Sequence, residues 1–266
     1  VVIRPPADVT WDEMPAFVAA LHSTVFEEVT ELSLHVEVHG AILVGLVGLL
    51  GTFVAGKLSH VSSLNLDRAS VGCAGMIALA GAVVGGTLDS VECLRLGDNK
   101  IGVDGMAAFA SALSARPLAS LKTLSFDRNR IGDDGVKLLA GALDSGALAN
   151  LEKLHMEWNR IGGEGMQSLS TALASGALNK LTCLNLAINK IGDDGIKSLA
   201  GALSSGALDK LTSLGLSHNK IGDDGVTALT GALSRGALGS LECIDIDNNQ
   251  VISEPPKRYR LLFCLE

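Results

Sequence analysis

The chain is 266 residues long, 47% hydrophobic but only 3% aromatic, with a formal net charge of −8 and a pI of about 5.2. That charge excludes duplex nucleic acid as an expected partner, because phosphate binding needs a basic footprint. The acidic balance otherwise reads as solubility.

The chain begins at Val1 rather than Met, which leaves a processed form and a fragment both open. The first segment reads Thr10-Trp11-Asp12-Glu13, a capping-box pattern with Glu three residues after Thr. It predicts a helix from Trp11 to His22 within an N-terminal capping segment, 1–28. A strand is predicted near Leu32–Val36. The run Ala41 to Gly56 is uncharged and apolar. It falls short of the roughly 20 residues that a membrane span needs. Its Gly45, Leu49, Phe53 and Gly56 keep the register of Gly75, Leu79, Val83 and Gly86, so it is read as a degenerate first repeat. Contact of this run with a membrane or a partner is the lesser reading. Its outward positions are expected at Val47, Leu50 and Val54, matching Gln167, Ser170 and Ala174.

From Val61 the chain repeats every 30 residues, with units starting at Val61, Val91, Leu121, Leu151, Leu181 and Leu211. A fixed period of this length is the signature of a solenoid. Each unit opens with L-x-x-L-x-L-x-x-N, as in Leu181, Leu184, Leu186 and Asn189. Leu184 and Leu186 alternate and predict a short strand. Asn99, Asn129, Asn159, Asn189, Asn219 and Asn249 form a ladder that is broken only by Ala69. Asn donates and accepts at once, so it can tie consecutive turns together. The segment I-G-D-D-G follows, with Asp133/Asp134, Asp193/Asp194 and Asp223/Asp224 expected as N-caps rather than calcium ligands. Ile196, Leu199, Ala202 and Leu203 then recur at helical spacing, and Gly206 ends the helix. Leu241, Ile244, Ile246 and Asn249 start a last unit. The array is thus 29–252 and the tail 253–266, whose KRYRLLFCLE fits no repeat.

These motifs, nearly intact at Leu121–Leu143, Leu151–Leu173, Leu181–Leu203 and Leu211–Leu233, resemble the leucine-rich repeat family, in its ribonuclease-inhibitor-like class. The resemblance implies an α/β solenoid, a horseshoe with parallel strands on the concave face and helices on the convex face. It is also similar to the repeats of Ran GTPase-activating proteins and NOD-like receptors. It says little about function.

No phosphate loop, G-x-S-x-G or H-E-x-x-H motif occurs. The expectation is therefore of no enzyme, no catalytic residue, no cofactor and no metal site. Cys93, Cys183 and Cys243 occupy one repeat position. Two or more strand spacings of roughly 4.8 Å separate them, so they are expected to stay free. Free thiols point to an intracellular setting, the cytoplasm first, with an organelle open. Lys100, Arg130, Arg160, Lys190 and Lys220 form a basic row, expected as a solvated charge ladder.

The concave positions are not dictated by the repeat. Position 8 gives Arg68, Asp98, Arg128, Trp158, Ile188, His218 and Asn248; position 5 gives Asn65, Arg95, Ser125, His155, Asn185, Gly215 and Asp245. Trp and Arg dominate interface hot spots. The candidate partner-binding residues are therefore Arg95, Arg128, His155, Glu157, Trp158, Ile188 and His218. The leading expectation is a non-catalytic scaffold that binds a protein partner on this face. The alternatives are a structural subunit of a larger assembly, with membrane association left open, and a GTPase activator resembling the Ran-specific family.

Overall fold

The computed structural model describes residues 2–3, 31–34 and 61–251. The expectations for Trp11–His22, Ala41–Gly56 and the tail 253–266 lie outside these residues. Nine strands form one parallel sheet in chain order: β1 (Val2–Ile3), β2 (Glu31–Leu34), β3 (Ser63–Asn65), β4 (Cys93–Arg95), β5 (Thr123–Ser125), β6 (Lys153–His155), β7 (Cys183–Asn185), β8 (Ser213–Gly215) and β9 (Cys243–Asp245). From β3 onward they alternate with α1 (Gly72–Val84), α2 (Val103–Ala115), α3 (Gly132–Asp144), α4 (Gly163–Ala174), α5 (Gly192–Ser204) and α6 (Asp223–Ser234). Strand β2 meets the expectation near Leu32. Strand β1 is new, because two residues carry no periodic signal.

The register is one column. Leu64, Leu94, Leu124, Leu154, Leu184, Leu214 and Ile244 pair rung to rung, and all are buried. Each helix buries the same face against this column, in α5 through Gly195, Ile196, Leu199, Ala200, Ala202 and Leu203. Helices pack about 8–10 Å apart and strands about 4.8 Å apart. The sheet therefore forms the short, inner wall and the helices the long, outer one. Small residues let the layers close. A Cβ on Gly135 would lie 2.6 Å from Ile131 Cγ2, so this helical position admits no side chain. Phe109 and Phe126, both fully buried, meet edge to face with centroids 5.8 Å apart.

The Asn ladder stitches each turn to the one before it. Asn189 Oδ1 accepts from the backbone N–H of Asn159 (2.9 Å) and of Ile161 (3.0 Å), while Nδ2 donates to the Met156 carbonyl at 2.9 Å. Asn129 and Asn249 also accept two N–H groups each. Asn99, Asn159 and Asn219 accept one each, at 3.1, 3.5 and 3.3 Å.

This difference belongs to a two-repeat alternation. Helices α3 and α5 start at a glycine with positive φ, Gly132 (+62°) and Gly192 (+63°). Helices α2, α4 and α6 start one residue later in the repeat, after an extended glycine, and Lys100, Arg160 and Lys220 take positive φ instead. The heptapeptide Asn-Lys-Ile-Gly-Asp-Asp-Gly is identical at 189–195 and 219–225, yet it adopts both forms. Local sequence therefore does not choose between them.

Four expectations need revision. The Asp pairs are not N-caps of their own helices, for none of these helices has a side-chain cap. Asp133 and Asp193 lie within the first turn and reach forward, accepting from the N–H of Gly162 and of Gly222 in the next repeat. The repeat position of Ser170 is not outward, because Ser170 is buried, whereas Gln167 and Ala174 are exposed. The basic row is exposed but makes no ion pair among the described residues. Lys197 instead bridges the acidic row, 3.0 Å from Asp224. Cys73, Cys93 and Cys183 are free thiols, but Cys243 is disulfide-bonded. Strand spacing keeps apart only the cysteines within the repeats, and the bond's partner is not among the described residues. The cysteines therefore no longer argue for a reducing compartment.

Candidate binding face

The concave face is built by three short rows. Residues at position 5 end each strand and position 7 follows one buried residue later. Residues at position 8 turn the chain in the left-handed region, from Arg68 (φ +59°) through Arg128 (+55°), Trp158 (+56°) and Ile188 (+53°) to His218 (+56°). The backbone N–H of each reaches the next rung: Arg128 donates to Glu157 O at 2.8 Å and Trp158 to Ala187 O at 3.0 Å. The turn is thus fixed by the ladder and the side chain is left to variation.

Trp158 is 49% exposed. The Arg128 guanidinium lies over its ring, with Cζ 4.8 Å from the centroid. Glu157, beside it, accepts from Asn185 Nδ2 at 3.1 Å. His155 is half-buried on β6, between Ser125 and Asn185 in register.

One repeat earlier the face opens into a cavity of about 300 Å³. Position 7 carries Asp67, Gly97, Asp127 and Glu157 in successive rungs, and the notch lies where Gly97 interrupts this row of carboxylates. Asp67 Oδ1 accepts from Gly97 N–H at 2.7 Å, and Asp67 Oδ2 accepts from Arg95 Nε at 2.8 Å. Arg68 and Asp98 pair at 3.6 Å. Asp127 accepts from Glu157 N–H at 2.9 Å and Ser125 Oγ at 3.0 Å. Burial pushes the Asp127 carboxyl above the usual carboxylate range, against the lowering effect of those hydrogen bonds.

Of the residues expected to bind, Arg95, Arg128 and Glu157 line this one cavity, and Trp158 joins them through Arg128. Ile188 and His218 continue the row but stand apart from the cavity. Gly97, Asp67 and Asp127 are not legible from the variation at positions 5 and 8, and Glu157 is the one residue of position 7 expected to bind. The signal there is a glycine inside a run of acids. Among the described residues no group of three or more His, Cys, Asp or Glu side chains is placed to hold a metal ion. Nor is any helix among them long and apolar enough to cross a membrane.

The family described as "Leucine Rich repeat" matches residues 89–110, 118–140, 147–170, 177–200 and 209–229. The chain carries leucine-rich repeats. Each match begins before a strand and ends within the helix that follows it. No curated protein matches the chain. Among solved structures, the leucine-rich repeat array is similar to the crystal structure of a TDR receptor, at 14% identity and a TM-score of 0.43, covering 89% of this chain and 42% of that one. It is also similar to the plant peptide hormone receptor RGFR1 in complex with RGF2, at 18% identity and 0.40, covering 78% and 32%. An internalin, inlF of Listeria monocytogenes, aligns at 15% identity and 0.28 over 91% and 90% of the two chains. The chain thus spans less than half the length of the two receptors.

Proposed function

We propose that this leucine-rich repeat array is a non-catalytic scaffold that binds a protein partner on its concave face, through Arg95, Arg128, His155, Glu157, Trp158, Ile188 and His218. We place the repeats in the ribonuclease-inhibitor-like class, from their strand–helix alternation and the motif L-x-x-L-x-L-x-x-N-x-I-G. The observation that carries the functional reading is Trp158. Its ring stands half in water on the open sheet, in a left-handed backbone conformation that non-glycine residues rarely adopt. It contributes to no core. A half-exposed aromatic beside an arginine is the composition of an interface anchor.

The test is affinity capture from the native source with the wild-type chain and with a Trp158→Ala/Arg128→Ala variant that keeps its circular dichroism. Partners captured by the wild type and lost from the variant support the reading; an unchanged set of partners refutes it.

A second reading, a structural subunit of a larger assembly, is favoured by the exposed Ile77 (57%) and Val84 (53%) on the outer face of α1. Native mass measurement separates the two: a monomer at micromolar concentration removes the support for the second.

A further inference from the structure

We propose that the notch over Gly97 receives a lysine or arginine side chain of the partner, held by Asp127 on one wall with Glu157 and Asp98 at the rim. This deepens the scaffold reading and rests on it for the existence of a partner.

The inference follows from the charges around the notch. Its lining holds three arginines and four carboxylates, so one negative charge is left over. The arginines are already committed. Arg95 is bound to Asp67, with Nη2 2.8 Å from Oδ2, and Arg68 faces Asp98. Arg128, the remaining one, is drawn aside onto the Trp158 ring. Asp127 and Glu157 have hydrogen-bond donors but form no ion pair among the described residues; His155 acts on Asp127 electrostatically as the weakest of its influences, and Glu157 opposes it. A carboxylate that is partly desolvated without a counter-charge is costly, and an entering cation removes that cost. An anion in the same place meets four carboxylates.

Size agrees with charge. About 300 Å³ is at the lower limit of small-molecule sites and suits one long side chain. A lysine or arginine keeps its charged head at the carboxylates while its stem lies along the wall. Gly97 lines the cavity, and a Cβ there would come within 2.8 Å of Asp67 Oδ1, so a side chain at this position would have to displace the Asp67 carboxylate.

The test uses the full chain and three capped tripeptides, N-acetyl-Gly-X-Gly-amide with X arginine, lysine or glutamate. Binding is read from backbone amide NMR shifts of Gly97, Asp98 and Arg128. Both cationic peptides should shift these amides saturably, and the glutamate peptide should not. Affinity should fall about tenfold or more in Asp127→Asn and in Gly97→Leu. It should be unchanged in Asp194→Asn, an exposed carboxylate on the outer turn whose long contact is with Lys197, 4.0 Å away. Should Gly97→Leu not fold, the near-isosteric Asp127→Asn still decides. The proposal is overturned if neither cationic peptide saturates, if the glutamate peptide binds as well, or if Asp127→Asn leaves affinity unchanged. Because the probes replace the natural partner, failure here leaves the capture experiment standing, and a failed capture does not touch this result.

Discussion

Asp193 Oδ1 accepts hydrogen bonds from the N–H of Gly222 at 2.6 Å and of Gly225 at 3.0 Å, both in the following repeat. One carboxylate thereby satisfies two of the donors that a helix start leaves open. It also brings negative charge to the positive end of α6. Its chain neighbour Asp194 points into solvent and has only a long contact, 4.0 Å, with Lys197. Asp193→Ala is expected to cost about 1–2 kcal/mol, and Asp194→Ala a few tenths at most. Urea unfolding midpoints of the two variants check this. Equal losses would contradict the forward cap.

Asn189 offers a larger effect. Replacing it by Ala leaves the N–H groups of Asn159 and Ile161 without an acceptor inside a closed turn. Each buried, unsatisfied group costs about 1–3 kcal/mol, so a loss of roughly 3 kcal/mol or more is expected. Calorimetric melting measures it, and amide exchange at Asn159 and Ile161 should accelerate.

Ser170 offers a gain. It is buried, and its Oγ has no hydrogen-bond partner. The equivalent residue is Ala in four other repeats (Ala80, Ala110, Ala140 and Ala200). Thr230, at the same position, satisfies its hydroxyl on the Val226 carbonyl at 2.8 Å. Ser170→Ala is expected to stabilise the array by about 1 kcal/mol, read as a higher melting temperature.

Asp127 predicts a pH dependence of stability. Burial raises its carboxyl pKa in the folded chain above the unfolded value of about 3.9. The folded state therefore holds this proton more tightly. Stability falls as pH rises from the unfolded value to the raised folded one, and the penalty then stays constant. Asp127→Asn keeps an acceptor for Glu157 N–H and carries no charge. It should be more stable than the wild type at neutral pH, with the difference vanishing below about pH 3. Thermal melts across that range check the sign.

The period, the strands from Leu32 onward and the helix faces were legible in the sequence, because leucine spacing, glycine turns and burial all obey one repeat. Residues whose partner lies 30 positions away were less so. Asp193 looks like a cap for its own helix, and only three-dimensional stacking turns it toward Gly222. Ser170 looks outward on a single helix and is buried once a second helix lies beside it. Trp158 and Arg128 were visible as unusual residues on an open row. The notch was not, since its lining is drawn from four successive rungs.

The alternation of turns has a consequence for how such an array is divided. Residues 189–195 and 219–225 are the same heptapeptide in two backbone forms, so a turn has no phase of its own. From α2 to α6 each is set opposite to its neighbour, as moments alternate in an antiferromagnet. Excising one unit brings two like turns face to face and leaves a mismatched junction. Excising an adjacent pair restores the order, which makes the pair the length in which this chain can be cut or extended without strain.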